Sequence, residues 1–182
     1  MKFRIALTSS LALALVAGAG LGLRAVAAQH EATMRATLHG LNEVPPTVSR
    51  ATATLRASVD ETAKKITFTL TFRNLTAPPT AAHIHFGPEK VNGGVVVFFC
   101  GGGGKPACPT TTSGTITGTI VAADIVGPTA QGIQAGDFTS LMYATRTGNA
   151  YANIHSPNFP NGEIRGQISG SGFSRSDGGA SY

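Results

Sequence analysis

Ile66-Thr67-Phe68-Thr69-Leu70-Thr71-Phe72-Arg73 decides the fold class of this chain. Large apolar residues hold every second position, and threonines with one arginine hold the others. Successive side chains on a strand point to opposite faces, so Ile66, Phe68, Leu70 and Phe72 share one face. Thr67, Thr69, Thr71 and Arg73 share the other. Just upstream, Ala51, Ala53, Leu55, Ala57 and Val59 alternate with Thr52, Thr54, Arg56 and Ser58. The polar run Asp60-Glu61-Thr62-Ala63-Lys64-Lys65 lies between the two. Pattern and β-branched content together predict an antiparallel hairpin with one face on a core.

The same signals continue outward. Asn74 to Thr80, with Pro78-Pro79, reads as a loop, and a strand carrying His83 and His85 follows and stops at Gly87-Pro88. Asn92-Gly93-Gly94 reads as a turn into Val95-Val96-Val97-Phe98-Phe99, a buried strand by its unbroken apolar run. A weaker strand spans Thr115 to Val121. Asp137 can cap a short helix that places Phe138, Leu141 and Met142 at helical spacing, with Gly148-Asn149 ending it. Ala150 to His155 and Glu163 to Ser169 predict two more strands around a Pro157 to Gly162 turn. Short strands with frequent turns and one small helix predict an all-β domain, an antiparallel β-sandwich or Greek-key barrel.

Residues 1–28 read as a secretory signal peptide: Lys2 and Arg4, an apolar run from Ile5 to Leu23, then Ala25-Val26-Ala27 at a cleavage site. No other segment is apolar enough to span a bilayer, so no membrane span is expected once the signal is removed. The expected mature chain is one β domain over 31–169 and a flexible Gly/Ser-rich tail over 170–182. Losing Lys2, Arg4 and Arg24 takes the formal charge from +5 to +2, so the basic balance partly belongs to the leader. Lys64-Lys65 is the lone adjacent basic pair, and no nucleic-acid partner is expected. Cys100 and Cys108 bracket a glycine loop; in an exported chain this spacing favours a disulfide over a zinc or redox pair.

Three motifs then resemble a known family. They are Leu41-Asn42-Glu43-Val44-Pro45-Pro46 near the mature start and Ala81-Ala82-His83-Ile84-His85-Phe86-Gly87 with Asn92-Gly93-Gly94-Val95-Val96 at the centre. The third is Tyr151-Ala152-Asn153-Ile154-His155-Ser156 with Pro160-Asn161-Gly162-Glu163-Ile164-Arg165-Gly166-Gln167-Ile168. In this order they resemble the CHRD domain, named after chordin, over Glu31 to Ser169. The resemblance implies a secreted or periplasmic module. In chordin, similar domains sit in a protein that binds bone morphogenetic proteins. That ligand does not transfer to a chain without chordin's cysteine-rich modules.

His83, His85 and His155 carry two readings. His-x-His on a strand sets two imidazoles roughly 6–7 Å apart at the backbone, and a third from a neighbouring strand would suit copper or zinc. The spacing is similar to that in copper-zinc superoxide dismutase, whose other ligands have no counterpart here. The alternative is a polar network in which the imidazoles bond loop backbone or Glu163, with Tyr151 and Asn153 on the same face. His30 and His39 are expected to be exposed. Glu43 and Glu163 could pair as acid and base, although a turn-closing hydrogen bond or an ion pair with arginine fits Glu163 better. Val44-Pro45-Pro46 suits a stiff strand edge.

There is no nucleophile elbow and no phosphate loop, and Gly101 to Lys105 precedes Pro106 rather than a helix. Asn74-Leu75-Thr76 matches a glycosylation acceptor. The leading functional expectation is a secreted, non-enzymatic binding module whose ligand is an extracellular or envelope protein or polymer. The ligand would meet an exposed surface within Val91 to Pro109. The alternative is a copper- or zinc-binding protein with dismutase-like activity.

Overall fold

The computed structural model describes residues 31–173. The expected signal peptide, His30 and the tail beyond Phe173 lie outside the described residues. Among the described residues nine strands run in chain order: β1 (Ala32–His39), β2 (Thr52–Asp60), β3 (Lys65–Arg73), β4 (Ala81–Phe86), β5 (Gly94–Cys100), β6 (Gly114–Val121), β7 (Ala150–Ser156), β8 (Phe159–Gln167) and β9 (Ser169–Ser171). Among the same residues one α-helix, α1 (Phe138–Arg146), precedes β7. All pairings are antiparallel, in the order β5-β4-β7-β8-β1-β2-β3-β6 with β9 on β1. The sheet curls until its end strands approach, so Phe68 of β3 meets Phe99 of β5 at 4.7 Å between ring centres. Of the two expected architectures, this is the barrel, nearly closed.

The deciding hairpin forms as its alternation requires. Ile66, Phe68, Leu70 and Phe72 are buried while Thr67 and Thr69 are exposed, and Leu55 pairs with Leu70 across the strands. Asp137 caps α1 by accepting from the Ser140 amide (3.0 Å) and hydroxyl (2.6 Å), and Phe138, Leu141 and Met142 are buried. Both hydrogen bonds hold the Asp137 carboxyl below its usual range.

The remaining gap between β5 and β6 is bridged by the glycine loop. Cys100 and Cys108 are disulfide-bonded. Within their loop the Lys105 ammonium donates to Thr119 O on β6 (2.8 Å) and pairs with Asp124 (2.7 Å).

Four segments depart from the sequence reading. β1 was not among the expected strands, yet Ala32, Met34, Ala36 and Leu38 alternate inward and pair with Val59, Ala57, Leu55 and Ala53 of β2. The expected Pro157 to Gly162 turn shrinks to Pro157-Asn158, because Phe159 already pairs with Ser156. The Gly/Ser-rich tail begins inside the sheet, where Ser169–Ser171 pairs with Thr33–Arg35 of β1. Val91 to Pro109 is not one continuous loop surface, although Val91, Asn92, Gly101, Gly103, Gly104, Pro106 and Ala107 are exposed. It contains β5, whose Val96, Val97 and Phe99 are buried against the core.

Candidate metal centre

The adjacent strands β4, β7 and β8 carry the chemistry. Ala82, Ile84, Ala152, Ile154 and Ile164 point into the core, so His83, His85, Tyr151, Asn153 and Arg165 share the opposite face. Cross-strand register sets His83 beside Asn153, and Asn153 beside Arg165. His155 lies diagonal to His83, opposite Ala81. On the other side of β4, β5 breaks register on either side of His83, which brings Phe98 opposite that histidine.

This outward face is buried because two loops lie over it. The segment after β1 turns through a short 3-10 segment (Gly40–Asn42) and returns across β8, where the Thr47 hydroxyl donates to Glu163 O (2.8 Å). The second loop precedes β5. Asn92 Nδ2 donates to Val44 O (3.0 Å), and Arg165 donates to Asn92 Oδ1 (3.2 Å) and Val91 O (3.1 Å). Val44-Pro45-Pro46 therefore covers the site, where a blocked strand edge was expected.

The expected ligand residues come together: one nitrogen from each of His83, His85 and His155 lies within 4.8 Å of the others. His83 Nδ1 and His85 Nε2 are 3.3 Å apart, close to the separation of about 3.3–3.5 Å that two nitrogens bound at about 2 Å to one ion would show. Hydrogen bonds assign two of the tautomers. His85 Nδ1 faces Gly93 O (3.0 Å) and His155 Nδ1 faces Pro160 O (2.9 Å). A carbonyl only accepts, so both Nδ1 atoms carry the proton and both Nε2 atoms keep a lone pair. This outer-sphere arrangement is what orients imidazoles toward a metal.

Gly93 is the structural key to that arrangement. A Cβ there would stand 1.7 Å from Phe86 O, so only glycine fits. Its amide donates to the Tyr151 hydroxyl (3.2 Å) while its carbonyl holds His85. Tyr151 stacks flat on His85 at 4.8 Å, and the Arg165 guanidinium sits 3.6 Å from the Tyr151 ring centre.

The cluster is left incomplete by the protein alone. His83 Nε2 and His155 Nε2 are buried without a hydrogen-bond partner. If His83 Nδ1 is protonated it bonds His85 Nε2, and its own Nε2 lone pair stays unmatched. If it is not, two lone pairs face each other. Neither tautomer satisfies every buried nitrogen, which an ordinary polar network would do. Part of that alternative reading does hold, since two imidazoles bond loop carbonyls; none bonds Glu163.

Electrostatics keep the lone pairs available. Burial, then the neighbouring His155 and His85, pushes His83 down to about 3. Burial foremost takes His85 down to about 4, with a Gly93 hydrogen bond opposing and His155 and Arg165 assisting. His155 is lowered by burial against the opposing Pro160 bond.

The two carboxylates do not form an acid–base pair. Glu43 accepts from Asn153 Nδ2, and burial pushes its carboxyl up to about 7 against the pull of Arg165. Glu163 is fully buried and accepts from the Ser49 hydroxyl (2.7 Å), the Thr76 amide (2.8 Å), the Thr76 hydroxyl (3.1 Å) and the Ser156 hydroxyl. Its Ser156 bond spans the β7–β8 turn, and the others tie in the Ser49 and Thr76 segments. Thr76, the last position of the glycosylation acceptor, is thereby tied into the fold. His39 is exposed on β1. Asn153 and the covering Glu43 were not read as neighbours from the sequence. The one available signal was the presence of both in motif segments.

A nearly closed antiparallel barrel with a loop-covered polar face defines an all-β module with a buried imidazole cluster. The profile of the CHRD domain matches residues 34–168, and the chain belongs to that family. No curated protein and no solved structure matches it. Among the described residues no helix is long and apolar enough to cross a membrane.

Proposed function

We propose that this chain is an exported, non-enzymatic CHRD module that binds one copper or zinc ion through His83, His85 and His155. The observation that carries the reading is one nitrogen from each of three histidines within 4.8 Å of the others, with the His85 and His155 lone pairs oriented by the Gly93 and Pro160 carbonyls. Export fits the Cys100–Cys108 bridge, which persists in an oxidising compartment. The chain's own residues supply neutral ligands, fix two of their tautomers through loop carbonyls and hold the Gly40 to Ser49 segment over the neighbouring Asn153 and Glu163.

The test is to purify the chain from Gln29 onward and measure bound copper and zinc after dialysis. One equivalent is expected. It should disappear in His83→Ala and His155→Ala and persist in His39→Ala. A folded protein that takes up neither ion, or one whose uptake survives His83→Ala, removes the reading.

Capture of a protein or polymer, the leading expectation from sequence, has one observation in its favour. Leu41, Val48 and Val91 stand exposed at 76%, 91% and 49% on the two covering loops. Replacing all three with serine should abolish retention of a secreted or envelope component if that reading holds. Unchanged retention would count against it.

A further inference from the structure

The same cluster distinguishes between metals, and the following inference rests on the metal-binding reading above. The ligand set is three neutral imidazoles, and among the described residues no fourth His, Cys, Asp or Glu joins the group. Aromatic rings flank two of the imidazoles, while His155 is partly exposed. Phe98 meets His83 edge-on at 4.4 Å, and Tyr151 lies flat on His85 at 4.8 Å. The glycine loop closes down on Phe98, since a Cβ at Gly102 or Gly103 would come within 2.5 Å of its ring. The Cys100–Cys108 bridge and the Lys105 contacts to β6 and Asp124 hold that loop in place.

Charge points the same way. Arg165, 2% exposed, lies over the Tyr151 ring that stacks on His85, and its guanidinium acts on His85. The three imidazoles are neutral and offset none of that charge. A monovalent cation meets half the repulsion that a divalent one meets.

We propose that His83, His85 and His155 form a three-coordinate cuprous site that takes Cu(I) in preference to Zn(II). Zinc in protein sites takes four ligands, so here it needs a water beside the three imidazoles in a place crowded by the Phe98 and Tyr151 rings. Imidazole accepts either metal and Cu(I) is more often selected by sulfur, so here coordination number and charge do the selecting.

The experiment uses the metal-free, disulfide-intact chain from Gln29 onward at pH 8 without oxygen. Cu(I), generated with hydroxylamine, competes against bicinchoninate, and Zn(II) competes against a chromophoric zinc chelator. One equivalent of Cu(I) is expected to bind at least 100-fold more tightly than Zn(II). Arg165→Gln, which removes the buried cation, should narrow that ratio about tenfold. If that variant does not fold, Glu43→Gln removes a negative charge instead and should widen the ratio. Zn(II) binding as tightly as Cu(I) in the wild type overturns the cuprous assignment and leaves the metal reading standing. Absence of binding by both ions removes the metal reading and this assignment together.

Discussion

The β2–β3 hairpin and the β4–β7–β8 strands follow the same rule of alternation and use it differently. In the hairpin, Thr67 and Thr69 face water, and solvent satisfies whatever they offer. In β4–β7–β8 the corresponding outward positions hold His83, His85, Asn153 and Arg165, and loops bury them. A polar group on the first face has water as a partner. On the second it must find one inside the protein or remain unmatched at a cost of several kcal/mol. The hairpin is therefore tolerant, and the covered face is where chemistry is concentrated.

The comparison can be broken most strongly with acid. Unfolded histidine takes its proton near 6.5, whereas buried His83 and His85 hold out until about 3 and 4. Between these limits the unfolded chain binds more protons, so stability is fully present above 6.5 and is lost as pH falls. Glu43, raised from 4.5 to about 7, acts oppositely and loses stability as pH rises through that window. Three histidines outweigh one carboxyl, and the metal-free protein should lose on the order of several kcal/mol between pH 7 and pH 4.5. Urea midpoints at the two pH values measure it. Equal midpoints would mean that the histidines protonate freely and that the face is wet.

Removing a satisfied charge from the covered face comes next. Glu163→Ala deprives the Ser49, Thr76 and Ser156 donors of their acceptor, and about 3–5 kcal/mol of stability should go with it. A loss below about 1 kcal/mol would show that water reaches these donors. Gly93→Ala forces apart a contact that would otherwise be 1.7 Å. It should cost about 1–3 kcal/mol and release His85 from its loop carbonyl, so metal uptake falls even where the fold survives. Retained uptake at wild-type strength would show that Gly93 does not set the His85 tautomer. Thr69→Ala, on the open face of β3, should change stability by no more than about 0.5 kcal/mol. A larger loss would mean that this face too has a cover.

Much of this contrast was legible before the fold was known. Alternation in Ile66 to Phe72 depends on nothing beyond the strand itself, and so does the sharing of one face by His83 and His85. The capped helix after Asp137 is local in the same sense, because its capping partner is three residues away. β1 was equally legible in principle, for Ala32, Met34, Ala36 and Leu38 alternate as cleanly as β2 does. It lies between the expected signal peptide and the Leu41 to Pro46 motif, and its pairing with β2 is set by tertiary register. The extent of β8 was harder to read. Pro160, Asn161 and Gly162 are turn residues by composition, and pairing of Phe159 with Ser156 overrides that preference.

The candidate site divides along the same line. His-x-His spacing nominated two ligands and the closing motif a third, but proximity needed the β4–β7 register. Glu43 stands 110 positions from the Asn153 it contacts. Val91 to Pro109 was expected to present a surface, and β5 turns out to be central because Val96, Val97 and Phe99 fill the core.

By itself the amino-acid order determined an all-β domain, the faces of its strands, a disulfide pair and three candidate ligands. These follow from side-chain period and residue chemistry, which act over a few positions. Only the tertiary structure decided that the histidine face is covered, that Gly93 and Pro160 set two tautomers, and that two buried nitrogens lack partners. Burial and hydrogen bonding there come from loops dozens of residues away, and no local pattern encodes where such a loop comes to rest.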